Sequence, residues 1–336
     1  MVPHPIRKML HPPARLARGF LEYIYDFKKF VSASSAVSNK LPTSTWSAPK
    51  LSALIVKTYH RIEKGLALPS PRHGFGISAV RTLFDLVPLH ERLFGRVAAT
   101  QEARAVLHAY RSSTWCDPAL GSEIDLFLAA TPAETLPSAG AKLVQRGAIR
   151  ALSDIDFTAF AASRYSVRDF TGEPVPVEAV RAAVQAAMKS PRVCNRGTTR
   201  CYAAFDPGVR SRALALQNGN AGFGHLAGAV LVITSSRQGF TDFGERNQCW
   251  VDGGLFAMSL NYALHAAGYG TCMLNWSAFS NRDRALHAAL AIPEDEAVIT
   301  LMAVGVMKPE FLVAISPREP IEKVFHNLDD TLDKGT

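Results

Sequence analysis

The sequence predicts an α+β protein in which a mixed β-sheet is flanked by helices and preceded by a mainly helical region. Two observations lead to this prediction. The C-terminal half contains four short apolar runs bounded by turn residues, and segments with helical spacing of apolar residues separate these runs. The N-terminal half shows helical spacing alone. Strands that alternate with helices are typical of a sheet domain.

The overall composition fits a folded protein with an anionic partner. The chain has 336 residues, which exceeds the usual size of one core, so we expect more than one unit. Its 37 basic and 29 acidic residues give a net charge of +8, which favours phosphates, nucleic acid or acidic lipid head groups. The five cysteines are widely spread and form no C-x-x-C pair, so they indicate neither a disulfide framework nor a zinc site. A reducing, cytoplasmic setting fits best.

The N-terminus is basic and amphipathic. Residues 1–49 form the first predicted region, and within it residues 6–31 mix arginine and lysine with leucine and aromatic side chains. Such a segment can lie on an anionic membrane surface, or it can pack its aromatic side on the rest of the protein. No apolar run is long enough to span a bilayer, and no secretory signal is present.

Residues 50–150 form the second predicted region, which is mainly helical and ends in a linker. Helical spacing covers residues 51–64 and 78–128, with a loop rich in proline and glycine between them. Residues 131–140 are rich in Pro, Ala, Ser and Gly, which is typical of a linker.

Residues 151–330 form the third predicted region, the sheet domain. A helix is predicted at residues 176–189, because Pro176 stands in its first turn and Glu178 lies near the positive end of its dipole. The predicted strands are residues 200–205, 229–234, 271–274 and 297–306. Further helices are predicted at residues 209–216, 252–267 and 282–290. Apolar residues surround much of the helix at 252–267, which marks it as buried between layers or subunits.

The most informative polar segment contains Arg164, Ser166 and Arg168. In an extended chain these three residues share one face. Two guanidinium groups beside a hydroxyl suit a phosphate monoester, because arginine matches phosphate oxygens with paired, charge-assisted hydrogen bonds. From spacing alone, a solvated surface run is an equal alternative.

Three other segments could contribute to a site. Asn195 follows the helix at 176–189, and its amide could pair with an imide edge, although an asparagine in a turn commonly serves the turn. Residues 268–276 form a glycine-rich exit from a helix into a strand, whose end could offer N–H groups to a flat ring or could simply be core. Arg318 follows a proline turn and could equally be a surface arginine.

In their order and spacing these segments resemble the nitroreductase family, over roughly residues 154–325. The matching motifs are R-x-S-x-R at 164–168, S-P-x-x-x-N at 190–195, G-N-A-G-F-G at 219–224, W-x-D-x-G at 250–254, the glycine-rich turn and the V-G-V and P-R-E-P tail. The resemblance implies FMN bound at a homodimer interface, with NADH or NADPH as electron donor and a small nitro, quinone or enone compound as acceptor.

The resemblance also implies roles for particular residues. Arg164, Ser166, Arg168 and Arg318 would hold the phosphate and ribityl chain, and Tyr165 belongs to the same expected cofactor site. Asn195 would meet the pyrimidine edge. Leu274, Asn275 and Trp276 would stand near flavin N5, where the hydride is exchanged. No side chain is expected to act as a nucleophile.

Two departures from the family pattern affect the substrate pocket. Gly197, Thr198 and Thr199 stand where many members have Gln-Pro-Trp, and Asn275-Trp276 replaces a Glu-Gly pair. The N-terminal half is similar to an extension found on nitroreductase-like proteins associated with bacterial surface-polysaccharide synthesis. There His60, Glu63 and Lys64 would share a helix face, as an acid/base or sugar-phosphate cluster or as an ion pair that fixes the helix.

Other classes of function fit less well. The histidines and cysteines lack metal-ligand spacing, so no metal is expected. Basic and aromatic residues do not interleave as they do in single-strand nucleic-acid binders, so we expect no nucleic-acid partner. The alternative that stays open is a flavin-binding but catalytically silent scaffold protein of a polysaccharide assembly system.

Overall fold

A computed structural model describes residues 12–37, 43–129 and 136–329 of the chain. Residues 6–11 of the predicted amphipathic segment and residues 131–135 of the predicted linker lie outside the described residues. Across the three described ranges, no helix is long and apolar enough to cross a membrane.

The N-terminal region is helical, as the sequence predicts. Its helices are α1 (Pro12–Ala33), α2 (Ala48–Leu66), α3 (Ile77–Phe94), α4 (Ala98–Arg111) and α5 (Pro118–Leu128). Helix α5 begins at Pro118 because Asp117 caps it, accepting hydrogen bonds from the backbone N–H groups of Ala119 and Leu120. The apolar faces of α2 to α5 form one core that includes Ile55, Leu83 and Tyr110.

The C-terminal region alternates helices with strands. Its elements are α6 (Arg146–Leu152), α7 (Phe157–Ser163), α8 (Val177–Ala187), β1 (Thr199–Ala204), α9 (Pro207–Ala215), β2 (Ala229–Ser236), α10 (Gln248–Ala266), β3 (Tyr269–Asn275), α11 (Ser280–Leu290) and β4 (Glu296–Val306). The strands form one antiparallel sheet in the order β1-β2-β4-β3. A parallel bridge between Ser166 and Thr271 adds a short segment beside β3. The predicted α+β class is confirmed.

The sheet is covered on both faces. One face packs against α8 and α10 through Leu231, Phe256 and Met302. The other packs against α9, α11 and the segment before α8, through Val167, Phe170 and Leu301. These cores draw on residues beyond 166, whereas the α2 to α5 core draws on residues 46–139. The division at residues 49/50 and 150/151 stays a prediction.

Phe170 packs on a pair of glycines that face each other across β3 and β4. Gly270 and Gly305 are register partners. A Cβ on Gly270 would lie 3.1 Å from Cε1 of the Phe170 ring, and a Cβ on Gly305 would lie 2.5 Å from its Cγ. The ring is 1% exposed, so it has no free space on the opposite side. Only glycine at both positions lets Phe170 approach the sheet this closely.

Replacing Gly305 by alanine should therefore destabilise the fold. The added methyl group must displace a buried ring, and overpacking of this kind costs about 1–3 kcal/mol. Gly147→Ala is the matched control, because nothing lies within 4 Å of a Cβ there; since Gly147 is in helix α6, this change should leave stability unchanged or raise it by up to about 1 kcal/mol. Urea unfolding followed by circular dichroism measures both. Equal stability of the two variants would contradict the close packing of Phe170.

Candidate functional site

Arg164, Ser166 and Arg168 lie in an extended segment beside the start of β3. Arg164 follows α7 with extended backbone (φ −80°, ψ 115°). The backbone N–H of Val167 donates to the carbonyl oxygen of Thr271 at 2.9 Å. Val167 is 3% exposed, whereas Arg168 is exposed. Arg164 and Ser166 are half-buried, so all three polar residues remain accessible beside the buried Val167. That they share one face stays a prediction.

The guanidinium groups of Arg164 and Arg168 both affect the pKa of the Cys272 thiol. Burial raises the pKa of the Cys272 thiol, and the positive charges of both arginines oppose that rise. Burial and the Arg164 charge also lower the pKa of His265. Both charges therefore lie near Cys272, in the middle of β3.

These two arginines have no acidic partner in the described part of the chain. Asp169, the adjacent carboxylate, pairs instead with Lys308 at 2.6 Å. Arg168 donates only to the backbone oxygen of Ser166, at 3.3 Å. Two unpaired guanidinium groups beside a hydroxyl form what we call the arginine cup, defined by Arg164, Ser166 and Arg168. Its charge is not neutralised by the protein, so it attracts an anion.

Asn195 ends a 3₁₀ turn, Val193–Asn195, that follows α8. Cys194 and Asn195 both adopt left-handed backbone angles (φ 47° and 58°), which non-glycine residues keep only where the surroundings hold them. Asp252 of α10, which is 2% exposed, accepts hydrogen bonds from the backbone N–H of Val193 at 3.3 and 3.2 Å. Arg192 donates through Nε to Oδ1 of Asn195 at 3.1 Å. Asp252 thus helps to fix where Asn195 lies.

The next residue, Arg196, joins this turn to the N-terminal region. Arg196 is 1% exposed and donates to both carboxylate oxygens of Glu245, at 2.5 and 3.1 Å. Lys57 of α2 lies 3.7 Å from the same carboxylate. Burial would raise the pKa of Glu245, but hydrogen bonds from Arg196 and from the backbone N–H of Thr241 lower it below its usual value. Glu245 is therefore ionised in the folded protein.

The end of β3 is held by a side chain that sequence reasoning missed. Nε2 of Gln217 donates to the carbonyl oxygen of Asn275 at 3.1 Å, and Oε1 of Gln217 accepts from the backbone of Gly219 at 2.6 Å. Gln217 is only 7% exposed. Trp276 donates through Nε1 to Asp283 of α11 at 2.9 Å. The only sequence signal for Gln217 was its place two residues before the Gly219-Asn220 loop.

Helix α10 contacts both the strand beside the arginine cup and the turn that contains Asn195, so it fixes the distance from the cup to Asn195 and to the end of β3. Asn261 accepts a hydrogen bond from Thr271 at 2.5 Å, and Thr271 is the bridge partner of Ser166. Asp252 lies nine residues earlier, about 14 Å along the helix axis. Strand β3 runs back alongside α10, so Asn275, four residues after Thr271, lies about 13 Å from it in the same direction. Asn195 and the end of β3 are thus at one level, opposite the cup.

The side chains of the remaining predicted site residues make fewer contacts that would fix them in the site. Tyr165 is 44% exposed. Leu274 is 3% exposed within the core, so only its backbone is available to a ligand. Arg318 lies in an exposed, irregular segment and makes no hydrogen bond or ion pair with the cup in the described chain. Asp252 belonged to a recognised motif, but sequence reasoning did not assign it to the site.

The predicted cluster on α2 is an ion pair with a link to a loop. Nδ1 of His60 lies 2.9 Å from Oε2 of Glu63. The other oxygen of Glu63 accepts from the backbone N–H of Gly140 at 3.3 Å. Lys64 is exposed, and no described carboxylate pairs with it. These contacts favour the interpretation that the pair fixes the helix.

The Glu245→Gln variant tests the buried pair beside Asn195. Because the pKa of Glu245 is lowered in the folded state, its contribution to stability is full above its unfolded pKa of roughly 4.3 and is lost as pH falls through the lower folded pKa. We expect the variant to be less stable than wild type by about 3 kcal/mol near neutral pH, and the difference to narrow in acid.

Urea unfolding at a series of pH values measures this difference. Glu178→Gln is the control, because Glu178 is exposed and has only weak charge interactions, with Arg181 (side chains 86% and 75% exposed) and with the start of α8. That variant should differ little from wild type at any pH. If the stability difference between Glu245→Gln and wild type stayed constant down to acid pH, the ionised carboxylate of Glu245 would not be what stabilises the folded state.

Residues 161–217 and 206–306 match the model of the Nitroreductase family. Together the two stretches run from residue 161 to residue 306, which is under half of the 336-residue chain. They include the whole sheet and every predicted site residue except Arg318. No curated protein sequence matches the chain.

Several solved structures are similar to the chain at low identity. A putative nitroreductase, YdfN, from Bacillus subtilis shares 18% identity over 51% of this chain and 98% of its own, with a TM-score of 0.46. An FMN-dependent nitroreductase from Clostridium difficile R20291 shares 20% over 51% and 98%, with a TM-score of 0.43. A putative nitroreductase in complex with FMN from Desulfovibrio desulfuricans shares 21% over 52% and 98%, with a TM-score of 0.45.

Proposed function

We propose that the C-terminal half of the chain binds FMN and acts as an oxidoreductase that passes a hydride from NADH or NADPH to a small acceptor of the nitro, quinone or enone type. The match to the Nitroreductase family supports a flavin oxidoreductase in general. The observation that supports it most is the arginine cup, in which Arg164 and Arg168 have no acidic partner in the described chain.

The donor set fits FMN at both ends of the cofactor. A phosphate dianion matches the two guanidinium groups and the hydroxyl of the cup. The amide of Asn195 and the backbone of Asn275 and Trp276 lie at one level about 13–14 Å away, a separation of the order of an extended flavin mononucleotide. Amide and backbone groups can pair with the imide edge and line the ring.

Bound FMN would supply the redox chemistry, by accepting and donating a hydride at N5. The protein's own residues bind and orient. The cup holds the anionic end, while Asp252 and Gln217 position the turn of Asn195 and the end of β3. No side chain acts as a nucleophile, and water can deliver the proton to the product.

The departure at residues 197–199 leaves a different wall beside the ring. Thr198 is 4% exposed and accepts a hydrogen bond from Ser235 at 3.1 Å, so its side chain turns into the core. A cavity of about 330 Å³ lies beside Arg192, Gly197 and Asp252. We propose that this open wall accommodates the acceptor.

We also propose that the protein is a homodimer. Helix α10 exposes Trp250 (44%), Val251 (51%) and Leu255 (43%) on its side away from the sheet. The C-terminal segment after β4 exposes a further apolar set: Leu312, Ile315, Ile321, Val324, Phe325 and Leu328. A second copy would bury both surfaces, and this segment would bring Arg318 to a cup of the dimer.

The absorption spectrum of the purified protein tests cofactor binding. Wild type should show flavin bands, and mass spectrometry of the released compound should identify FMN. Arg164→Ala combined with Arg168→Ala should weaken FMN binding by about 100-fold, since each lost charge-assisted bond contributes about 1.5 kcal/mol or more.

Arg181→Ala is the control for this double variant, because Arg181 is an exposed arginine outside the proposed site. It should retain wild-type flavin content. A colourless wild type that FMN cannot reconstitute would contradict the proposal. An assay of NADH or NADPH oxidation in the presence of a quinone or nitroarene then distinguishes an enzyme from a catalytically silent, flavin-binding scaffold protein of polysaccharide assembly. The connection with polysaccharide synthesis rests on the resemblance of the N-terminal half alone.

Light scattering tests the dimer. Val251→Glu with Leu255→Glu should convert it to monomers, because two charges would be buried without partners. Leu126→Glu, at an 81% exposed leucine on α5, should leave the mass unchanged. A monomeric wild type, or a dimer unaffected by the α10 changes, would contradict the proposed interface.

A further inference from the structure

Helix α1 presents an apolar stripe to the outside of the protein. Leu16, Phe20, Tyr23 and Phe27 follow one another at i, i+4, i+7 and i+11, so they lie on one side of the helix. They are 80%, 66%, 80% and 60% exposed. The stripe is about 17 Å long at 1.5 Å per residue. We call these four residues the α1 stripe.

The opposite side of α1 is fastened to the C-terminal region by polar contacts. Glu22 accepts hydrogen bonds from the backbone N–H and the hydroxyl of Ser280, at 2.8 and 3.2 Å. Tyr25 donates to Asp283 at 2.9 Å. The guanidinium carbon of Arg18 lies 3.7 Å from the centre of the Phe279 ring. Near its end α1 also buries Phe30 against Phe240. Over residues 16–27, however, the polar contacts hold the helix, so the α1 stripe faces away from the protein.

This arrangement is the reverse of an ordinary surface helix. In a soluble domain an amphipathic helix buries its apolar side and exposes its charges. A helix that lies in a membrane interface keeps its apolar side outward and its basic residues beside the lipid head groups. The α1 stripe matches the second arrangement.

The charges around the stripe favour an anionic surface. The first 21 residues contain Arg7, Lys8, Arg15 and Arg18 and no acidic residue. Of the two acidic residues of α1, Glu22 turns toward the protein, where it bonds to Ser280, whereas Asp26 is exposed and lies near the charge of Arg237. Arg15 and Lys28 are exposed, and no described carboxylate pairs with either.

We propose that α1 docks the protein on the surface of an anionic lipid bilayer, with the α1 stripe inserted among the acyl chains and head groups and with Arg15 and Lys28 against the lipid phosphates. The hydrogen bond from Trp276 to Asp283, which also accepts from Tyr25, connects this helix to the end of β3. The bilayer would then lie about one helix diameter, roughly 10 Å, from α11.

Vesicle co-sedimentation of the full chain tests the proposal. Wild type should partition onto vesicles of phosphatidylcholine with phosphatidylglycerol, and binding should weaken with phosphatidylcholine alone and at high salt. Phe20→Ser with Phe27→Ser should lower the partition coefficient by at least about tenfold. Arg15→Gln with Lys28→Gln should lower it about tenfold on anionic vesicles only.

The control removes exposed apolar surface elsewhere. Leu126→Ser with Leu152→Ser changes two side chains that are 81% and 86% exposed outside α1, and it should bind vesicles as wild type does. Circular dichroism confirms that each variant is folded. Wild type that stays in the supernatant, or equal losses in the control and stripe variants, would overturn the proposal. A drop in mass by light scattering in the stripe variant, without vesicle binding by wild type, would make a second copy the occupant.

Discussion

The packing of Phe170 on Gly270 and Gly305 is the contact on which the candidate site depends. It presses the segment before α8 onto two strands, and the bridge between Ser166 and Thr271 then fixes the register of that segment. A side chain at either glycine would lift the segment away from β3. The glycines therefore serve packing, and through packing they determine where the two unpaired arginines lie.

Helix α10 sets the distance between the two ends of the site. Its Asn261 is tied to β3 near the arginine cup, and its Asp252 is tied to the turn that contains Asn195. Since β3 returns along the same helix, its end reaches the level of Asp252, where Gln217 fixes it. One helix, buried only on its inner side, thus brings together three segments that are far apart in sequence. Larger side chains would not fit on the inner side of α10, because Phe256 and Leu260 pack on the sheet there.

Local patterns were enough to predict the elements, but not the contacts that position the site. Sequence patterns placed the strands within a few residues, because each strand is built around a short apolar stretch, such as Ala229 to Ile233 in β2, all eight residues of which are buried. The left-handed turn at Cys194 and Asn195 could not be predicted, since it depends on Asp252, which lies more than fifty residues later. The pairs of Gln217 with Asn275 and of Lys57 with Glu245 likewise join distant parts of the chain. The sequence likewise could not show which side of α1 faces outward, because hydrophobic periodicity does not reveal which side of a helix packs on the rest of the protein.

The arginine cup is proposed to recognise the phosphate of FMN, and a calorimetric titration of the flavin-free protein with FMN and with riboflavin tests this role most directly. The two compounds share the ring and differ in the phosphate alone. FMN should bind about 100-fold more tightly, as two charge-assisted contacts of about 1.5 kcal/mol each predict. Equal affinity for the two flavins, or binding of neither, would contradict the central claim.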